Sequence, residues 1–127
     1  MTPNVSAVLA DLAGLLLRNA MPGVPDGERA TNLGLSAALL GVAAEVWDGA
    51  AHNLVGENRA LRTLLALPGQ DDDLRLSALK AENDRLRAAL IEAHAAAEAA
   101  GDRPRQEAIW AELRASTERR KLSISLV

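Results

Sequence analysis

Glu57-Asn58-Arg59-Ala60-Leu61-Arg62 and Glu82-Asn83-Asp84-Arg85-Leu86-Arg87 both read EN-x-x-LR, and these two stretches decide the fold. Each sits in a run of residues spaced alternately four and three apart. The first run is Trp47, Ala51, Leu54, Asn58, Leu61 and Leu65; the second is Leu76, Leu79, Asn83, Leu86, Leu90 and Ala93. Heptad spacing of this kind keeps one stripe of a helix against a partner, here with an asparagine inside each stripe. Between the runs, Pro68-Gly69-Gln70-Asp71-Asp72-Asp73 stops one helix and supplies acids suited to the positive end of the next. In a chain folded back at Gln70, the numbers of facing residues sum to about 140. Leu65 with Leu76, Leu61 with Leu79, Asn58 with Asn83, Leu54 with Leu86, Ala51 with Leu90 and Trp47 with Ala93 all give 140 or 141. The match predicts an antiparallel helical hairpin, about residues 28–67 and 73–100, with Asn58 and Asn83 meeting at one level and fixing its register. The stretch Leu76–Ala97 also fits a parallel two-stranded zipper, with Asn83 in the seam and Glu82 and Arg87 beside it; the short loop and matched levels favour the hairpin.

Outward from the hairpin, proline and glycine set the remaining boundaries. Residues 28–67 hold no proline, only isolated glycines at 34, 41, 49 and 56, so they read as one helix of about 40 residues or as two broken near Asp48-Gly49. Thr2-Pro3 resembles a cap followed by proline in the first turn, opening a helix over about Pro3–Asn19. Met21-Pro22-Gly23-Val24-Pro25-Asp26-Gly27 is a connector. Gly101-Asp102-Arg103-Pro104 ends the second hairpin helix. A last helix, about Pro104–Lys121, carries Ile109, Trp110 and Leu113 on one side, and residues 122–127 alternate as an extended C-terminal tail. The expectation is an all-α, four-helix-bundle-like fold in a single domain over 1–127.

Composition narrows the function. The 127 residues are 49% hydrophobic and 24% charged, a balance that folds, and the apolar part is mostly Ala, Leu and Val with two Trp and no Phe or Tyr, which favours helix over strand. A net charge of -3 lacks the basic surplus that binds a phosphate backbone, so nucleic acid is not an expected partner. Absence of cysteine excludes disulfides, thiol catalysis and Cys-ligated metals. Val5–Leu17 is apolar like the core of a signal segment, but no basic residues precede it and Asp11 interrupts it, so it reads as a buried helix. No run reaches about 18–20 uninterrupted apolar residues, so no membrane contact and a cytoplasmic location are expected.

The candidate sites are few. Glu45, Asp48 and His52 lie at i, i+3 and i+7 and would present two oxygens and an imidazole to a metal, although such clusters on a helix are usually solvated surface, and an exposed polar face is the favoured reading. Gly34 and Gly41, with Ala30, Ala37, Ala38 and Ala44, form a small-residue stripe along which another helix can approach closely. Trp47 and Trp110 are the only aromatics; they read as core residues, or as anchors for a partner. Glu118-Arg119-Arg120-Lys121 places cations at a helix C-terminus, where they complement its dipole. The Glu-x-x-His pairs of di-iron bundles and glycine-rich phosphate loops are absent from the sequence, and Ser36, Ser77 and Ser116 have no neighbouring base, so no cofactor and no catalytic residue are assigned.

Leu35–Asp48 (LSAALLGVAAEVWD), Glu57–Leu65 (ENRALRTLL) and Ile109–Ile124 (IWAELRASTERRKLSI) together resemble a bacterial family of small helical domains of unknown function, often encoded beside aminoglycoside-phosphotransferase-like proteins and acyl-CoA dehydrogenases. The resemblance implies an accessory role beside a kinase-like or acyl-CoA enzyme and carries over no site residues. The sequence therefore points to a non-enzymatic interaction module that forms a homo-oligomer, a dimer foremost, or docks on a partner protein. The alternative is a small-ligand- or metal-binding bundle.

Overall fold

The helix that opens the chain starts where a side chain replaces a missing backbone partner: the Asn4 amide oxygen accepts the N–H of Ala7 at 3.1 Å. The computed structural model describes residues 4–123, so the expected Thr2-Pro3 start and the end of the C-terminal tail lie outside the described residues. From Asn4 the chain forms α1 (Val5–Leu15), a π-helical turn (Leu16–Ala20), α2 (Glu28–Leu65), α3 (Leu76–Ala100) and α4 (Arg103–Arg119). The fold is all-α, with four α-helices and no strand among the described residues. Residues 28–65 are one helix of 38 residues, and the interior glycines do not break it.

Its end is set by geometry. Ala66 takes a left-handed φ of 53°, Leu67 N–H reaches back to the Arg62 carbonyl at 2.9 Å, and Ala66 N–H to that of Thr63 at 3.2 Å. This is the two-bond stop usually built on glycine, with Pro68 following at once. The next helix starts at Leu76, three residues later than the acidic block suggests. Asp73 turns to the backbone N–H and guanidinium of Arg75, and Asp71 turns inward, so neither acts as an N-cap. Gly101, at φ 65°, ends α3 with the same pattern, Asp102 N–H donating to the Ala97 carbonyl at 2.9 Å. Asp102 then caps α4 by accepting from Arg105 N–H at 3.1 Å.

The described residues fall into two compact units, 4–49 with 122–123, and Ala50–Lys121, the division falling within α2. In the second unit the end of α2, α3 and α4 enclose a core of Leu61, Leu86, Leu90 and Ile109. The contacts between α2 and α3 run in opposite senses: Arg62 meets Glu82, Asn58 meets Asn83 and Glu57 meets Arg87. Asn83 donates to the Asn58 side-chain oxygen at 3.0 Å. Of the residues expected to face across the hairpin, Leu61, Leu86 and Leu90 lie in this interior, and Ile109 of α4, which a two-helix reading did not include, completes it, while Ala51 and Trp47 are exposed.

In the first unit only Ala37 and Ala44 are buried among the described residues. The small-residue stripe is already in use there: Ser6 of α1 donates its hydroxyl to the Ala44 carbonyl at 2.9 Å, and the Met21 methyl lies 3.4 Å from where a Cβ on Gly34 would stand. Gly41 is half-buried on the same face. The stripe read as a surface for another molecule thus receives the chain's own N-terminal segment, because small side chains let that segment come close.

Candidate functional site

The most organised polar feature of the second unit grows from the repeated motif. Glu57 and Arg62 lie five apart on α2, Glu82 and Arg87 five apart on α3. When the helices run in opposite directions, the acid of each copy reaches the base of the other. Glu57 accepts from Arg87 at 2.5 Å, and Arg62 donates to Glu82 at 2.9 Å. The motif is complementary to itself, with the Asn58–Asn83 pair between the two bridges.

Glu57 is 3% exposed, and burying a carboxylate without donors is costly. Its oxygens accept from Asn83 Nδ2 at 3.1 Å, Ser116 Oγ at 3.0 Å, Arg87 at 2.5 Å and the Arg120 guanidinium at 2.8–3.2 Å. Burial pushes its pKa upward, but the hydrogen bonds from Asn83, Ser116 and Arg120 outweigh it and leave the acid below its ordinary range. A carboxylate offers about four lone-pair directions, and these donors occupy them. The space beside it, among Leu61, Arg87, Leu90, Glu112 and Ser116, is about 10 Å³, which holds one water at most.

Arg62 forms the second node. It donates to Asp71 at 2.8 Å as well as to Glu82, and Asn58 adds a hydrogen bond to Asp71 at 3.1 Å. The Arg62 guanidinium lowers the Asp71 pKa, and Arg85 with Arg62 holds Glu82 down to about 2. An open polar cleft of about 490 Å³ runs past Arg59, Arg62, Thr63 and Gln70. The inward-facing charge of Arg62 is neutralised there by its own acids.

Sequence reasoning missed this network. Ser116, passed over for want of a base, is buried and donates to Glu57, and Arg120, read as a dipole partner, reaches the same carboxylate. The spacing of the repeat held the signal, since an i, i+5 acid–base pair written twice is what two antiparallel helices need to bridge reciprocally.

The remaining candidates separate. Glu45 is engaged by Ser123, whose backbone N–H and hydroxyl donate to it at 2.6 and 2.8 Å, and these bonds lower its pKa. Asp48 and His52 are exposed, and no three His, Asp or Glu side chains converge on a metal position among the described residues. Trp47 and Trp110 were read as core, but they are 50% and 53% exposed. Helical geometry explains Trp110: Ile109 points inward, and the next position, about 100° round the helix, points away. Its indole N–H donates to His94 Nε2 at 3.1 Å, with the rings edge to face.

The larger apolar surface belongs to the first unit. Val8, Leu12, Leu15 and Leu17 of the N-terminal segment and Leu35, Leu39 and Val46 of α2 are all exposed, and α1 buries no residue. By length and composition α2 also has an 18-residue window apolar enough to cross a membrane. Compared with known proteins, the chain matches no family model, no curated protein and no solved structure.

Proposed function

We propose that the chain is a non-enzymatic helical interaction module that self-associates or docks on a partner enzyme. One observation carries the reading: α1 is apolar along its length and buries no residue, beside an α2 whose Leu35, Leu39 and Val46 face solvent. Apolar patches beyond a few hundred Å² mark contact surfaces, because water excluded from them stabilises association by about 25 cal/mol per Å². Such a surface also suits a membrane, but residues 4–49 carry five acids, Asp11, Asp26, Glu28, Glu45 and Asp48, against Arg18 and Arg29 and no lysine. A basic face that would attract anionic lipid is missing from these residues. A protein partner fits this charge better, and the cytoplasm fits such a module.

The test is solution mass by light scattering across a hundredfold concentration range. Mass rising from one chain toward two is expected; a constant monomer mass refutes self-association. The metal-binding alternative has less support, since Glu45 is already engaged by Ser123.

A further inference from the structure

α1 carries two apolar rows with different fates. Ser6, Leu9, Ala13 and Leu16, spaced three, four and three apart, are half-buried, and Ser6 is the residue bonded to α2. Val8, Leu12 and Leu15, spaced four and three, are 47%, 43% and 48% exposed. The second row has the spacing of a heptad seam and is exposed. Asp11 and Arg18, the two charges of the segment 5–20, are seven apart, about two helical turns, which sets them on the same side of the segment with Arg18 inside the wider π-helical turn. Arg18 folds back toward mid-helix: a Cβ added to Gly14 would meet its Nη1 at 2.6 Å, so the glycine makes room for the guanidinium. Neither Asp11 nor Arg18 has an ion-pair partner among the described residues.

We infer that α1 pairs antiparallel with the α1 of a second copy of this chain, about a two-fold axis beside Ala13 and Gly14, with Asp11 of each copy on Arg18 of the other. The inference rests on the self-association reading above and assigns its surface. A parallel pair, whose two-fold axis runs along the helices, would put the Asp11–Arg18 flanks of the two copies on opposite sides of the seam and pair neither charge. The antiparallel pair brings the two flanks to the same side, so that each Asp11 meets an Arg18, and stacks Leu12 of one copy on Leu15 of the other, twice. Two-fold symmetry makes one acid and one base sufficient, because each is used reciprocally. Three half-exposed aliphatic side chains per copy put the contact at the small end of interface sizes, the range of transient complexes.

The experiment is sedimentation of the full chain with Asp11→Arg, Arg18→Asp, the double exchange, and an equimolar mixture of the two single variants, each checked for helix content by circular dichroism. Each single variant meets like charge at both contacts, so its dissociation constant is expected to rise at least tenfold at low salt. The double exchange regains dimer. The mixture forms dimer although neither variant does alone, because one copy then presents two arginines and the other two aspartates. This last arm also guards against misfolding, since unfolded variants would not recover on mixing. Single variants that dimerise like the wild type overturn the inference and leave self-association through another face, such as Leu35, Leu39 and Val46. A mixture that stays monomeric overturns it too, and a monomeric wild type removes it together with the reading beneath it.

Discussion

Glu57→Gln tests whether the buried carboxylate organises the three-helix unit. The substitution keeps the shape and one acceptor oxygen, but sets an NH2 where Ser116 Oγ and Arg120 donate. A donor facing a donor in a buried site costs about 1–3 kcal/mol. Arg87 and Arg120 also lose their counter-charge, but their side chains are 37% and 51% exposed and turn to water, so each adds only about 0–1 kcal/mol. The expected loss is about 2–3 kcal/mol, or roughly 10 °C in the unfolding midpoint for a chain of this size. Urea unfolding followed by circular dichroism at fixed protein concentration measures it, and a cycle with Arg120→Ala isolates the pair. The double variant should lose at least about 0.5 kcal/mol less than the two single losses added, because Arg120 has nothing to lose once the carboxylate is gone. A Glu57→Gln loss below about 0.5 kcal/mol, or strict additivity in the cycle, would refute the view that Glu57 is the anchor.

Two further outcomes follow from the same geometry. Ala66→Gly relieves a left-handed alanine whose conformation costs about 1–2 kcal/mol, partly offset by the greater freedom of glycine in the unfolded chain, so a net gain of up to about 1 kcal/mol is expected in urea unfolding; a loss would show that the Ala66 methyl packs favourably. Glu57, Asp71 and Glu82 all have lowered pKa values, so their contribution to stability is fully present above the ordinary carboxylate range and fades as pH falls from about 4.5 toward about 2; unfolding free energy flat across that interval would contradict these ion pairs.

What the sequence disclosed depended on how local the cause was. Heptad spacing and Gly101-Asp102 are local devices, and they located α3, α4 and the contact between Asn58 and Asn83. The helix stop at Ala66 was less legible, because it places an alanine where glycine is the usual signal. Asp71 and Asp73 misled for a related reason: acids before a helix commonly complement its dipole, yet here the buried Arg62 offers Asp71 a stronger partner 2.8 Å away. Glu57 was invisible to a search for apolar stripes, since its burial depends on donors from α3, α4 and the residue that ends α4, namely Asn83, Arg87, Ser116 and Arg120, as far as 63 positions along the chain. The tryptophans erred the other way, because large apolar residues were assumed to point inward whether or not a neighbouring helix stood there.

The two units divide apolar and polar residues unlike an ordinary small protein, and the division bears on function. Ala50–Lys121 buries leucines together with Glu57, Asn58, Arg62, Asn83 and Ser116, each of them hydrogen-bonded within the chain. Such bonding is directional, so it selects one register among the several that alanine- and leucine-rich helices would tolerate. Residues 4–49 have the opposite problem, with ample apolar surface and only two alanines buried. Folding such a segment carries the usual entropy cost of ordering its backbone with little burial to offset it. Association as proposed above would add burial, and a partner that binds only the folded form stabilises it increasingly as its concentration rises above its dissociation constant. On this argument the register-fixing polar network and the exposed α1 row differ in kind: the first makes one structure of its three helices, and the second is the surface on which the proposed association would act.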